Sequence, residues 1–120
     1  MEENLTVDPK DAQDNKFMGI LAYLNLLVLV PIFAAKESPF ARFHANQGLI
    51  LLIVTYAGYF ALAILGALLA IISYSLAAII GIVYSLFGIC VFVFMILGII
   101  NAAKGEMKEL PFIGKYRILK

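Results

Sequence analysis

The side chains able to bind a ligand or carry out catalysis fall in two short clusters. They are Arg42, His44, Asn46 and Gln47, then Asn101, Lys104 and Glu106. A general base could only be His44, and no Ser, Cys or carboxylate accompanies it in a recognisable catalytic arrangement. The amides and charged groups suit hydrogen bonding to lipid phosphates or to another chain's backbone. We therefore predict no enzyme activity, and we expect these seven residues to bind a membrane partner or lipid headgroups.

Metal and cofactor chemistry is not indicated either. The single cysteine, Cys90, cannot form an internal disulfide or a zinc site built on thiols, and the chain has no Walker-type glycine loop. Cys90 lies deep in an apolar run, so we expect it to be a small packing residue. The net charge of +1 gives no reason to expect a nucleic-acid partner. We predict no metal, no cofactor and no nucleic acid.

The two clusters border a stretch that has no charge. From Ala45 to Ala103, 59 consecutive residues contain no Asp, Glu, Lys or Arg. One straight helix of that length would reach about 88 Å, whereas the hydrocarbon core of a bilayer is about 30 Å thick, so the stretch must fold back. The chain is 63% hydrophobic, 14% charged and has a mean hydropathy of +0.98. These values are typical of an integral membrane protein, and 120 residues make one small domain.

Breaks in the apolar sequence predict an all-α helical bundle with three membrane spans. The first span is expected over about 17–35, with Asn25 and Pro31 inside it. The second should begin at Pro39, the favoured first helical residue, with Ser38 as its N-cap, and run over 39–72. The third is expected over 76–103, because the polar residues 73–75 mark the one clear break. A four-span bundle is the alternative.

The two ends of the chain differ in charge. Residues 1–16 carry a net −3 and contain few apolar groups, which predicts a flexible acidic tail. Residues 104–120 carry a net +3 mixed with bulky apolar groups, which predicts an amphipathic tail on the membrane surface or docked under the bundle. With three spans, the positive-inside rule puts the C-terminus in the cytoplasm and the N-terminus outside.

Small residues recur four positions apart within the predicted second and third spans. This spacing lets helix backbones approach closely, and it predicts a compact hairpin, with a docked second copy as a further possibility. We expect Gly81→Leu to weaken assembly. The predicted packing residues are Gly66, Ala70, Ala77, Gly81, Ser85, Gly98 and Ala102.

Three phrases of the sequence carry a family resemblance. They are the phrases KESPFARFHANQG over 36–48, IINAAKGE over 99–106 and LPFIGK over 110–115. Over about residues 16–120 the chain resembles small bacterial membrane proteins of undefined role, related to the Tic-type import component of the chloroplast inner-envelope translocon. The resemblance implies a multi-pass helical protein of the bacterial inner membrane, with protein-translocation ancestry. The chloroplast members look like four-span proteins with both tails on the stromal side.

Two functions are consistent with these features of the sequence, and a membrane enzyme acting through His44 is a distant third. The first is a non-enzymatic scaffold or accessory subunit that binds a membrane partner or lipid headgroups. The alternative is a homo-oligomeric pore or translocation component, since several copies could gather the few polar residues of the spans into one wall. Those residues are Asn25, Thr55, Ser73, Ser75, Ser85 and Asn101. The expected partners are membrane lipids, further copies of the chain or another membrane protein.

Overall fold

The structure is a computed structural model that describes residues 6–119. Its described residues form helices and loops, with no strand among them. The molecule is elongated, with principal dimensions of 57 × 23 × 22 Å. The helices are α1 (Pro9–Asp14), α2 (Lys16–Leu21), a 3-10 helix (Asn25–Val28), α3 (Leu29–Ala34), α4 (Pro39–Ile72) and α5 (Tyr74–Ala103).

Helices α4 and α5 form a long antiparallel hairpin. The hydroxyl of Ser38 accepts a hydrogen bond from the backbone N–H of Ala41 at 3.0 Å, which caps the start of α4. At the other end Ser73 is extended, and its hydroxyl accepts from the N–H of Ser75 at 3.1 Å. One residue therefore ends α4 and caps α5. Helix α5 ends before Gly105, whose φ of +74° suits glycine.

Two helices of the described chain, α4 and α5, are long and apolar enough to cross a membrane, as judged by length and composition. The predictions of three or four spans are therefore wrong. Residues 17–35 are apolar enough for a span, but they are divided among α2, the 3-10 helix and α3, none longer than six residues. The break includes Asn25, whose φ of 60° is outside the helical region. Pro31 lies in the first turn of α3, where a missing N–H costs little.

The broken segment folds back beside the hairpin and forms no long helix of its own. Gly19 of α2 lies beside Phe40 and Ala102, at the base of the hairpin, and Asn25 reaches the hydroxyl of Tyr56 further along α4. The chain then returns through α3 to the start of α4. Residues 6–16 and the C-terminal segment consequently lie at the same end of the hairpin, which overturns the prediction that they are on opposite sides.

The two halves of the hairpin differ in what covers them. We call residues 6–38 and 104–119 the collar, because they wrap around the base of the hairpin, residues 39–51 and 98–103. Phe40 and Val28 are completely buried there. We call residues 52–97 the bare half, because most of its large apolar side chains are exposed; Ile71, for example, is 82% exposed. The 20 residues of 53–72 extend about 30 Å, which matches the hydrocarbon thickness of a bilayer.

Close packing within the hairpin depends on glycine and aromatic residues. Gly58 of α4 faces the ring of Phe87, and Gly66 faces Ile80, the one large side chain buried in the bare half. The rings of Tyr59 and Tyr84 stack at a centroid distance of 5.3 Å. These contacts join α4 directly to α5 along the bare half.

The predicted small packing residues lie in different surroundings. At the base, Gly98 faces the ring of Tyr23, and Ala102 is buried beside Gly19. In the bare half, Gly81 has no described atom within 4 Å of where a Cβ would be. The others there vary in exposure: Gly66 and Ala77 are half-buried, and Ala70 and Ser85 are exposed.

Residues 1–16, predicted to be a flexible tail, contain a short helix in the part that is described. Asp8 caps α1 by accepting from the N–H of Lys10 at 3.1 Å, and Pro9 is its first residue. Ala12 is buried in the core of the collar. The sequence did not predict this helix. The few apolar side chains of residues 6–16 find a core only where the C-terminal segment and the base of the hairpin supply one. Glu2 and Glu3, which contribute to the predicted acidic tail, lie outside the described residues.

Candidate functional site

The base of α4 carries three buried polar side chains in an otherwise apolar helix. His44 and Gln47 are 0% exposed and Asn46 is 2% exposed. A buried polar group is costly unless it is hydrogen-bonded. Each of the three has a partner in the collar, so the first predicted cluster is occupied by contacts within the chain.

His44 joins three segments of the chain. Its Nε2 lies 2.7 Å from the backbone oxygen of Glu106, and its Nδ1 lies 2.6 Å from the hydroxyl of Tyr23. A carbonyl oxygen only accepts, so Nε2 carries the proton and Nδ1 accepts from the tyrosine. The edges of Phe40 and Phe43 enclose the imidazole ring. Both ring nitrogens are therefore engaged in holding the collar to α4.

Asn46 and Gln47 bind the backbone of the C-terminal segment. The amide of Gln47 donates to the oxygen of Gly114 at 2.8 Å and accepts from the N–H of Leu110 at 2.8 Å. The amide of Asn46 donates to the oxygen of Tyr116 at 2.8 Å, and its oxygen accepts from two consecutive backbone N–H groups, those of residues 118 and 119. The segment is therefore docked on α4 through side-chain bonds to its backbone.

Glycine permits the close approach at this base. A Cβ on Gly114 would lie 2.4 Å from the backbone nitrogen of Leu110 and 2.6 Å from an amide atom of Gln47. A Cβ on Gly48 would lie 1.7 Å from the carbonyl oxygen of Ala22. Neither position has room for a larger residue unless the backbone moves.

Asp11 holds the N-terminal segment against the start of α4. Its Oδ1 accepts from the hydroxyl of Ser38 at 2.6 Å, and its Oδ2 accepts from the N–H of Phe40 at 2.9 Å. A carboxylate is favourable at a helix N-terminus, where N–H groups lack partners in the helix. Sequence reasoning missed Asp11, because nothing local links it to Ser38, 27 residues away. The one available signal was an acidic residue upstream of a clear helix start.

The second predicted cluster lies at the same end of the hairpin, where the C-terminal segment leaves α5. Asn101 donates to the oxygen of Lys108 at 3.4 Å, and Lys108 Nζ lies 3.6 Å from Oε1 of Glu106. Lys104 is exposed, and Arg42 of the first cluster is half-buried at the base of α4. The structure thus brings all seven predicted residues to one end of the molecule, and four of them remain at least partly accessible: Arg42, Asn101, Lys104 and Glu106.

The family can be assigned from one comparison. A model of the magnetosome magnetite crystal formation protein family (MamF/MmsF) matches residues 14–118, which include the whole hairpin and most of the collar. No curated protein and no solved structure matches the chain. The match agrees with the resemblance to a small bacterial membrane protein family. It gives no support to a relation with the chloroplast import component.

Proposed function

Because the chain belongs to the magnetosome magnetite crystal formation (MamF/MmsF) protein family, we propose that it is a non-enzymatic membrane component of the magnetosome. It acts as a scaffold or accessory subunit whose collar binds a partner at the membrane surface. The partner is another magnetosome membrane protein, and the accessible members of the two polar clusters contribute to the contact.

The division of the molecule into a bare half and a base covered by the collar is the observation that supports this function. The bare half has the length and polarity of a membrane anchor. The collar and the base of the hairpin pack around one shared core, which includes Tyr23, Phe40 and Leu110. His44, Asn46 and Gln47 use their polar groups to build that unit. The surface of the collar is therefore the part available for recognition.

The charge distribution supports a cytoplasmic collar. All lysines and arginines of the described chain lie in the collar or at the hairpin base, and the turn at Ser73 and Tyr74 has no charge. Under the positive-inside rule the collar, including residues 6–16 and the C-terminal segment, faces the cytoplasm.

Cysteine accessibility tests this arrangement. In a Cys90→Ser background, we expect cysteines at Gln13, Glu37 and Lys115 to be labelled from the cytoplasmic side and one at Tyr74 from the opposite side. Labelling of positions 13 and 115 from opposite sides would contradict the two-span arrangement. Labelling of all three collar positions from outside would show that the collar faces away from the cytoplasm, opposite to the proposed orientation.

The role in crystal formation is tested by complementation in a magnetite-forming bacterium that lacks the gene. We expect electron microscopy to show altered crystal dimensions in the deletion strain and restoration by the wild-type chain. A variant carrying Arg42→Ala and Asn101→Ala should reach the membrane at the wild-type level but fail to restore the crystals. A deletion strain with unchanged crystals would contradict the proposal.

A homo-oligomeric pore or translocation component is the weaker alternative. Several polar residues that would have to line it are bonded within the chain: Asn25 to Tyr56, Thr55 to the oxygen of Leu51, and Ser85 to the oxygen of Gly81. The purified protein in a planar bilayer distinguishes the two functions. A scaffold predicts no conductance at any potential, and a reproducible unitary conductance would favour the pore.

A further inference from the structure

A cavity of about 610 Å³ lies between the N-terminal segment and the C-terminal segment of the collar. Its wall includes Ala12 and Met107, which are apolar, and three lysines, Lys16, Lys104 and Lys108. Lys16 begins α2, Lys104 follows α5, and Lys108 lies in the C-terminal segment. The folding of the collar therefore brings Lys16 of the N-terminal segment to the same space as Lys104 and Lys108 near the C-terminal end.

Two of these lysines differ from the other collar cations in having no partner. Elsewhere, Lys10 pairs with Asp14, Arg117 pairs with Glu109, and Lys36 and Lys115 each lie over an aromatic ring. The side chains of Lys16 and Lys104 make no hydrogen bond, ion pair or ring contact with any part of the chain over residues 6–119. Lys108 has only the 3.6 Å contact with Glu106. The free positive charge of the collar thus converges on the cavity.

The cavity also contains an acceptor without a hydrogen bond. Glu106 belongs to its wall, and its Oε1 is buried and makes no hydrogen bond among the described residues, the Nζ of Lys108 lying 3.6 Å away. A buried carboxylate oxygen without a donor is unfavourable, so a ligand that supplies one is favoured there. The arrangement of three ammonium groups and one acceptor suits an anion that also carries a hydroxyl or ammonium group.

We propose that this cavity binds a phosphate ester, with Lys16, Lys104 and Lys108 around the phosphate and Glu106 accepting from a hydroxyl or ammonium group of the ester. Ammonium groups are effective point-charge partners for phosphate. Glycerol phosphate and ethanolamine phosphate have this chemistry, whether free or as the headgroup of a phospholipid. The site shares Lys104 and Glu106 with the proposed contact surface, and it adds a small-molecule ligand that the scaffold function does not name.

The position of the cavity along the hairpin is compatible with either source. Helix α5 has 30 residues and is therefore about 45 Å long, close to the roughly 40–45 Å thickness of a bilayer with its headgroups. With residues 53–72 across the hydrocarbon core, α5 extends about 15 Å beyond it on the collar side, so Lys104 lies just outside the headgroup layer. Long lysine side chains can extend from there toward lipid phosphates, and the open cavity also admits a free ester from the aqueous side.

Calorimetric titration of the full chain in an uncharged maltoside detergent tests the site. The probes are glycerol 3-phosphate and dihexanoyl phosphatidylglycerol. We expect one saturable site per chain for at least one probe. Lys104→Gln and Lys16→Gln should each weaken binding about tenfold, whereas Lys36→Gln, which removes the same charge outside the cavity, should change affinity less than twofold.

The two probes identify the source of the phosphate. Similar affinities indicate that the site recognises the free ester, and binding of the lipid alone indicates a headgroup site. Absence of saturable binding for both probes would overturn the proposal, as would an equal loss of affinity in Lys36→Gln and Lys104→Gln. None of these measurements depends on crystal formation, so the site and the scaffold function can fail separately.

The role of Glu106 needs its own comparison. The ratio of affinities for glycerol 3-phosphate and methyl phosphate measures recognition of the hydroxyl groups. We expect Glu106→Ala to reduce that ratio to about one while methyl phosphate still binds. An unchanged ratio would show that Glu106 does not contact the ester, and it would overturn that part of the proposal.

Discussion

The base covered by the collar and the bare half belong to the same two helices but are stabilised in different ways. In the bare half, α4 and α5 contact each other through Gly58, Gly66 and aromatic rings, and their other faces are apolar and exposed. In the collar, the same α4 presents His44, Asn46 and Gln47 to surrounding loops. Lipid can cover an apolar face without specific geometry, whereas loop backbone must find hydrogen-bond partners.

This difference explains where polar residues occur on α4. The C-terminal segment has little regular secondary structure, so its N–H and C=O groups need partners from elsewhere. Gln47 supplies both a donor and an acceptor to that segment. Polar side chains near the start of this apolar helix are therefore explained by hydrogen bonds to the backbone of the loop packed against it, and they do not require an external ligand.

The strongest test of the comparison exchanges glycine in each half. Gly48→Val should prevent the N-terminal segment from seating, because the Cβ would meet the carbonyl of Ala22 at 1.7 Å. Since backbone must move, we expect a loss of about 3 kcal/mol or more in the free energy of unfolding. Gly81→Val, in open space, should change it by less than about 0.5 kcal/mol. Pulse proteolysis in detergent measures both, and equal losses would contradict the division.

The second test removes a polar side chain from each half. Gln47→Leu leaves the N–H of Leu110 buried without a partner and removes one of the two donors to the oxygen of Gly114, the other being Arg117, and it should cost about 2–3 kcal/mol. Thr55→Val removes only a bond to a carbonyl of its own helix and should cost less than about 0.5 kcal/mol. In a limited proteolysis experiment, the protease should cleave the C-terminal segment in Gln47→Leu and leave it intact in Thr55→Val.

A third test compares two tyrosine hydroxyl groups. Tyr23→Phe removes the donor to Nδ1 of buried His44, and we expect a loss of about 1–2 kcal/mol. Tyr84→Phe removes a longer bond, 3.3 Å, to the oxygen of Tyr59 in the bare half, and it should cost less than about 0.5 kcal/mol. Thermal unfolding of the purified variants measures the decrease in Tm, which should be larger for Tyr23→Phe. A larger decrease for Tyr84→Phe would contradict the prediction.

The smallest expected effects concern helix starts. Asp11→Ala removes the carboxylate from the start of α4 and should cost about 1 kcal/mol. Ser73→Ala removes the cap of α5 at the exposed turn and should cost about 0.5 kcal/mol. Protection of the amide of Phe40 from hydrogen exchange should fall only in the Asp11 variant. Unchanged protection there would show that Asp11 does not hold α4.

The hairpin was predictable because its signals are local. Ser38 and Pro39 mark the start of α4, and Ser73 marks the turn through its own capping bond. The prediction of a membrane span over residues 17–35 failed for a physical reason. Nineteen apolar residues meet the length requirement of a span, whereas the break near Asn25 becomes favourable only when Ala22 and Tyr23 can pack against Gly48 and Gly98.

The candidate functional residues also divide into those that the local sequence indicated and those whose role depends on the tertiary structure. The types of Arg42, His44 and Lys104 indicated two polar clusters, but sequence alone could not show which members would be consumed by internal bonds. His44 is engaged by Tyr23 and by the backbone of Glu106, which are 21 and 62 residues away. Asp11 carried no local signal of its role.

The sequence by itself determined that this protein is an all-helical membrane protein with a long hairpin, because hydrophobicity and helix capping act over neighbouring residues. Only the tertiary structure decided that there are two spans, that both ends of the described chain meet at one end of the hairpin, and that three lysines surround one cavity. Those outcomes depend on which backbone groups find partners across the fold, and on where glycine permits two segments to touch.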